Sequence, residues 1–196
     1  MLTVPPLEGY GVAVVPLAEE HREPLRAAAA DPRTWEHTLT RGDGAAFDSW
    51  FAAALADRAA GHRVPFAVRR LADGRWVGST SYLDVELRHK RLEIGSTWYE
   101  PAACGTAVNP ACKLLLLAHA FEVLGVNRVA LVTDALNLRS RAAIARLGAV
   151  HEGVLRAHMV AQGGRVRDTV IFSIVTAEWP AVRAGLLARL APREGP

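Results

Sequence analysis

Residues 92–133, LEIGSTWYEPAACGTAVNPACKLLLLAHAFEVLGVNRVALVT, decide the fold. Leu92, Ile94, Ser96 and Trp98 alternate with Glu93, Gly95, Thr97 and Tyr99 as the two faces of a β-strand do. Pro110 to Leu124 is apolar nearly all round, the mark of a buried helix, and Val129 to Thr133 is a strand again. Two strands joined through a helix form a βαβ unit, whose strands run parallel and whose crossover is right-handed.

On the N-terminal side, Val12 to Pro16 reads as a strand and His21 to Ala30 as a helix, stopped before Pro32. A second helix runs from an N-cap at Asp43 to Gly61, with Phe47, Trp50, Phe51, Ala54 and Leu55 at helical spacing. The period then changes. Val64 to Leu71 and Trp76 to Leu87 flank Asp73-Gly74 as a hairpin, and Arg88 to Lys90 turn into the Leu92 strand. On the C-terminal side, Arg139 to Leu147 is a helix ended by Gly148, and Val150–Val160 pairs with Val166–Val175 around Gly163-Gly164. A last helix covers Ala177 to Leu190. The order predicts an α+β fold over residues 1–196 as one domain, with a mostly antiparallel sheet and one parallel pair inside it. Ligands bind such sheets where strand order changes, which directs attention to residues 98–110 and 133–140.

The bulk properties narrow the class. Hydrophobic residues make up 51 % of the 196 and charged residues 22 %, so the chain is neither disordered nor low-complexity. No 18-residue uncharged stretch reads as a membrane span, and Met1 to Gly9, with Pro5, Pro6 and Glu8, does not read as a signal peptide. Cys104 and Cys112 cannot make a disulfide framework, so a reducing cytoplasm is expected. The net charge is +3, and the arginines alternate with acidic residues, so no nucleic-acid surface is expected. Cys104, Cys112 and His119 lack the spacing of a zinc site, and no Gly-x-Ser-x-Gly elbow is present.

The chemistry concentrates after the first strand of the βαβ unit. Small residues at 102–107 let a ligand approach the backbone, Asn109 fits a helix N-cap, and Pro110 fits the first helical position. The free amides of such a helix start suit an anion such as a diphosphate, although a plain strand-to-helix turn gives the same pattern. Asn137 and Ser140 open the next helix, where both can serve as caps. Glu93 is a carboxylate on a central strand, costly unless paired or set in a cleft. It can be either an ion-pair partner of a neighbouring arginine or, with a pKa raised by burial, a base. Trp35, Trp50, Phe47 and Phe51 can line an acceptor pocket or simply fill the core.

Several stretches together resemble one superfamily. They are residues 92–101, the loop that follows, Lys113 to Leu117, Asn137-x-x-Ser140 to Ile144, Leu147-Gly148, Glu152 to Leu155, Arg167 to Thr169 and Glu178 to Pro180. As a set they resemble the GNAT N-acetyltransferases, and best the RimJ/RimL-type branch of ribosomal-protein N-terminal acetyltransferases. The resemblance implies a parallel strand pair that splays, acetyl-CoA as co-substrate with no metal, and cofactor contacts from Trp98, Tyr99, Cys104, Gly105, Thr106, Ala107, Val108, Asn109, Asn137 and Ser140. It also implies that Glu93 is the general base acting through water and that Ser140 protonates the departing thiolate. The superfamily pattern Gln/Arg-x-x-Gly-x-Gly/Ala falls on Cys104, Ala107 and Asn109, so the diphosphate is left to backbone amides.

The implied reaction is direct attack of a primary amine, a protein N-terminus or a small molecule, on acetyl-CoA. At pH 7, deprotonating an α-amine of pKa near 8 costs about 1.4 kcal/mol, against roughly 4.6 for a lysine. A base relayed through water therefore suits an α-amine or small amine. The other reading is a regulatory module that binds acyl-CoA with weak or no turnover, which the changes at Cys104 and Ala107 allow. The long hairpin over 150–175 allows a homodimer.

Overall fold

The computed structural model describes residues 2–191; Met1 and residues 192–196, part of the stretch expected as one domain, lie outside the described residues. The strands are β1 (Leu7–Gly9), β2 (Val12–Pro16), β3 (Arg63–Arg70), β4 (Trp76–Glu86), β5 (Arg91–Tyr99), β6 (Arg128–Asp134), β7 (Val150–Val160) and β8 (Val166–Val175). The helices are α1 (Arg22–Ala28), α2 (Phe47–Ala60), α3 (Val108–Ala118), α4 (Leu138–Ala145) and α5 (Trp179–Leu190). One sheet carries the strands in the order β1-β2-β3-β4-β5-β6-β8-β7. Every neighbouring pair is antiparallel except β5–β6, the expected parallel pair in the middle.

That parallel pair is short. Its register covers only Arg91–Arg128, Leu92–Val129 and Glu93–Ala130, after which the two strands separate. Antiparallel neighbours hold each of them on the far side, β4 on β5 and β8 on β6. A V-shaped gap therefore opens in the middle of a continuous sheet.

The sequence-level alternation along β5 fails at its centre. Ser81 pairs with Gly95 but Ser79 with Trp98, so Ser96 and Thr97 together oppose Thr80 in a β-bulge. Ser96 takes φ +45°, an unusual conformation for a non-glycine residue that a period-2 reading cannot anticipate. The extra residue exchanges the faces beyond it. Tyr99, not Trp98, shares the core side with Leu92 and Ile94, while Trp98 joins the side of Glu93 and Gly95.

The two faces are covered differently. Leu92, Ile94, Tyr99, Val129, Leu131 and Phe172 pack with α3, α5 and the inner side of α4. On the opposite face Leu25, Phe47, Trp50, Phe51 and Ala54 from α1 and α2 cover only the β2–β5 half, with Trp35 and Trp98 at its border. Trp98 packs between Trp35 and Trp50, tilted against the first and edge-on to the second, with ring centroids 5.1 and 5.3 Å away. Phe47 and Phe51 are core, whereas Trp35 and Trp50 also reach the gap.

Helix boundaries differ from the sequence reading for local reasons. α3 begins at Val108, two residues before the expected start, with Ala107 rather than Asn109 at the N-cap. Gly105 makes the turn at φ +76° and the Thr106 hydroxyl accepts from the Val108 amide at 3.3 Å, so helical geometry sets in at once. Pro110 is tolerated there because the first four helical amides have no intrahelical partner. A 3-10 turn at Gly44–Ala46 precedes α2, and Asp43 pairs with Arg41 instead of capping by its side chain. Gly61 closes α2 in the left-handed region as read. Strand β1 escapes a sequence reading because three residues carry no period. Among the described residues no helix is long and apolar enough to cross a membrane.

Gly78 shows how tightly β4 meets β5. A Cβ there would lie 2.6 Å from the Tyr99 ring and 2.9 Å from the Tyr99 Cα. Backbone cannot yield as a flexible side chain does, so Gly78→Ala is expected to destabilise the fold by about 1–3 kcal/mol, read as a lower midpoint in urea unfolding.

Candidate active site

The gap between β5 and β6 opens into a cleft of about 810 Å³ that passes through the sheet. On the side covered by α3 and α4 its wall includes Cys104, Gly105, Thr106, Asn109, Asn137 and Ser140. On the other side stand Trp35, Trp50, Glu93, Trp98, Arg167 and Thr169. Residues that the sequence places in separate motifs are thus brought to one space.

Of the expected contact residues, two are set apart from the wall. Val108 is buried in the core and Ala107 is exposed at the helix start, so only their backbone amides remain available to a ligand. The Cys104 thiol lies 3.9 Å from the Tyr99 carbonyl, and the Thr106 hydroxyl donates to the Ala103 carbonyl at 2.7 Å. These local bonds fix the loop, leaving its backbone, and the open space around Gly105, toward the cleft. Along β5, residues 94–99 have no partner strand on the β6 side, so this edge also faces the cleft.

Asn137 is the N-cap of α4, its Oδ1 accepting from the Ser140 amide at 2.9 Å. That bond orders the turn and leaves the Ser140 hydroxyl at the cleft wall. Capping and ligand contact are compatible at this position.

Glu93 has no ion pair within 4 Å among the described residues, so the ion-pair alternative is not realised. Burial, reinforced by the Asp84 carboxylate and opposed by Arg167 and Lys113, pushes its pKa up to about 7. Its side chain lies over Gly95, where a Cβ would collide with the carboxylate and come within 2.9 Å of Leu83. Gly95 therefore makes room for the carboxylate.

Lys113 carries no functional assignment in the sequence reading. It is one of only two lysines and stands in an otherwise apolar helical run, which is the signal that could have found it. The residue is 5 % exposed, and its ammonium donates to the Thr97 hydroxyl at 3.2 Å, which bonds in turn to Thr80 at 2.7 Å. Burial lowers its pKa to about 8. The lysine thus anchors the bulge from the α3 side while its charge acts on Glu93. His37, His62 and His158 on the cleft rim also carry no sequence signal.

A sheet wedged open in its middle, with a short-residue loop entering a helix on one wall and the Glu93 carboxylate, free of any ion pair among the described residues, on the other, has the form of an enzyme's substrate cleft. Residues 12–150 match the family described as acetyltransferase (GNAT) domain. The chain belongs to the GNAT acetyltransferase family. It is 32 % identical over 109 residues to YdaF of Bacillus subtilis (strain 168), named as a candidate ribosomal N-acetyltransferase. That match spans 56 % of this chain and 58 % of YdaF. A crystal structure of a candidate acetyltransferase from T. thermophilus is 33 % identical, with a TM-score of 0.87 over 97 % of this chain and 99 % of that one. RimJ of Mycobacterium smegmatis, solved in complex with CoA-disulfide, shares the fold at a TM-score of 0.75 over 94 % of this chain and 92 % of its own, at 22 % identity.

Proposed function

We propose that this chain transfers an acetyl group from acetyl-CoA to a primary amine by direct attack, with residues 1–196 acting as one catalytic domain. The observation that carries the reading is the cleft itself: β5 leaves β6 just after Glu93, putting an unpaired, half-buried carboxylate beside a free strand edge and across the cleft from the 104–109 loop. The diphosphate would rest on backbone amides of Cys104 to Asn109, and the two amides of pantetheine would pair with the free edge of β5 near Trp98 and Tyr99. RimJ of Mycobacterium smegmatis, which shares this fold, is in complex with CoA-disulfide, which supports CoA as the ligand.

The acceptor would enter from the Trp35–Trp50 side. Its nitrogen attacks the thioester carbonyl carbon, its surplus proton passes through water to Glu93, and the C–S bond breaks. Asn137 positions Ser140 to give the departing sulfur a proton. A carboxylate with a pKa of about 7 matches a base working near neutrality. The easier deprotonation of α-amines and small amines favours them over lysine side chains. The exposed apolar residues of the edge strand β7, among them Val154, Leu155 and Val160, suit a homodimer contact, which light scattering of the purified chain would count.

Acetyl-CoA at 100 times its dissociation constant should stabilise the fold by about 2.7 kcal/mol, or roughly 5–10 °C in Tm for a chain of this size. No shift at millimolar CoA sinks the cofactor assignment. A shift without thiol release against a panel of primary amines supports the acyl-CoA-binding module instead.

A further inference from the structure

Arg167 lies on β8, on the same side of the sheet as Glu93 and Thr169, and is 6 % exposed. Its guanidinium lines the cleft yet makes no ion pair and no side-chain hydrogen bond among the described residues, and its Nε is buried without a partner. Neither of the two carboxylates whose charges reach it, Asp134 and Glu93, forms an ion pair with it. Asp134 is paired with Arg165 and accepts the Leu136 amide at 2.9 Å, while burial keeps Glu93 partly protonated at neutral pH. A buried cation without a partner is costly, and the cost is relieved when an anion arrives.

Two further groups on this side are in the same condition. The indole N–H of Trp98 and the hydroxyl of Thr169 are buried, line the same cleft and have no hydrogen-bond partner among the described residues. The arginine and the indole can only donate, so the matching ligand must present oxygen acceptors. A polyamine, itself built of donors, is the wrong complement.

Building on the acetyl-transfer reading, we propose that the acceptor half of the cleft holds an anionic oxygen group of the amine substrate, a carboxylate or a phosphate, on Arg167. The amine would then be presented toward Glu93 from the same molecule, and Arg167 would act as a specificity-determining residue.

The test uses the full chain saturated with CoA and reads tryptophan fluorescence, since Trp35, Trp50 and Trp98 border the cleft. The probes are N-acetyl amino acids, their C-terminal amides, and N-acetyl-O-phosphoethanolamine. The charged members should bind at least about tenfold more tightly than the amides, as charge-assisted hydrogen bonds require. Preference for the acids alone assigns a carboxylate, and preference for the phosphoethanolamine compound alone assigns a phosphate. Arg167→Gln should reduce the preference to below about twofold, and Arg167→Lys, which keeps the charge but loses the fork, should retain part of it. Failure of both the acids and the phosphoethanolamine compound to bind the unaltered protein more tightly than the amides, no binding of any probe, or a preference that survives Arg167→Gln overturns the proposal. Thiol release separates the two readings. Amides acetylated as fast as both the free amino acids and O-phosphoethanolamine leave acetyl transfer standing and remove the anionic subsite. No turnover with any amine, alongside an intact and Arg167-dependent preference, removes acetyl transfer and leaves the subsite.

Discussion

Glu93→Gln is expected to cut turnover at least about tenfold at pH 7 while CoA affinity stays within about twofold. General-base catalysis contributes about 10²–10⁴-fold, and a relay through water delivers the lower part of that range. The substitution keeps the shape over Gly95 and removes only the proton acceptor. In the unaltered protein the rate should climb through pH 7 as the carboxylate ionises. The variant should lose that limb and recover partly at higher pH, where more of the amine is already neutral. Ser140→Ala should give a smaller drop with no alkaline recovery, because a thiolate of pKa near 8.5 is already a fair leaving group. Unchanged turnover in Glu93→Gln with a verified acceptor would make the carboxylate structural.

The same substitution carries a stability signature of opposite sign. The folded pKa of about 7 stands above the ordinary 4.5, so the folded state binds more protons than the unfolded state between those values. Stability from this group is therefore present below pH 4.5 and lost as pH rises toward 7. Removing the charge should stabilise the protein above pH 7 by roughly 2–3 kcal/mol at most, and not at pH 4. Urea unfolding at the two pH values reads the difference. A loss of rate joined to a gain in stability distinguishes a working buried carboxylate from a structural one.

Gly105→Leu is expected to raise the CoA dissociation constant at least about tenfold with the core intact, since a phosphate approaching loop amides leaves no room for a branched side chain. Gly105 has φ +76° and nothing within 4 Å of an added Cβ, so a side chain starts there into open space at the cleft wall. The left-handed backbone alone costs about 1–2 kcal/mol of stability in any L-residue. Gly105→Ala carries the same backbone cost with little bulk and should retain most of the affinity. Calorimetric titration with CoA separates the two effects. If Gly105→Leu binds as the unaltered protein does, the diphosphate lies elsewhere.

Much of this architecture is local in origin and legible as such. The hairpin over Val150–Val160 and Val166–Val175 reads true in its bounds, because Gly163-Gly164 marks the turn between two strand-forming runs, while the register shifts at His151/Gly153 and Leu155/Met159 are not marked in the sequence. The parallel pairing of β5 with β6 follows from a helical segment between two strands. Cys104, Gly105, Thr106, Asn109, Asn137 and Ser140 stand out because glycine, small residues and caps report the backbone they need.

The faces of β5 are not legible beyond Gly95. A bulge at Ser96–Thr97 breaks the period of two, and no glycine marks the left-handed residue, so strict alternation assigns Trp98 and Tyr99 to exchanged sides. The state of a charge is equally out of reach. Whether Glu93 is paired, whether Lys113 is buried, and whether Arg167 keeps a partner depend on strands and helices far apart in the chain. Sequence by itself determined the elements from β2 onward, their order and the residue types that gather near the switch point, because those follow from local periodicity and turn chemistry. Tertiary structure alone decided how far the sheet splays, which face each side chain takes after the bulge, and which charges are left without counter-ions. Those depend on distance and dielectric between residues that only folding brings together.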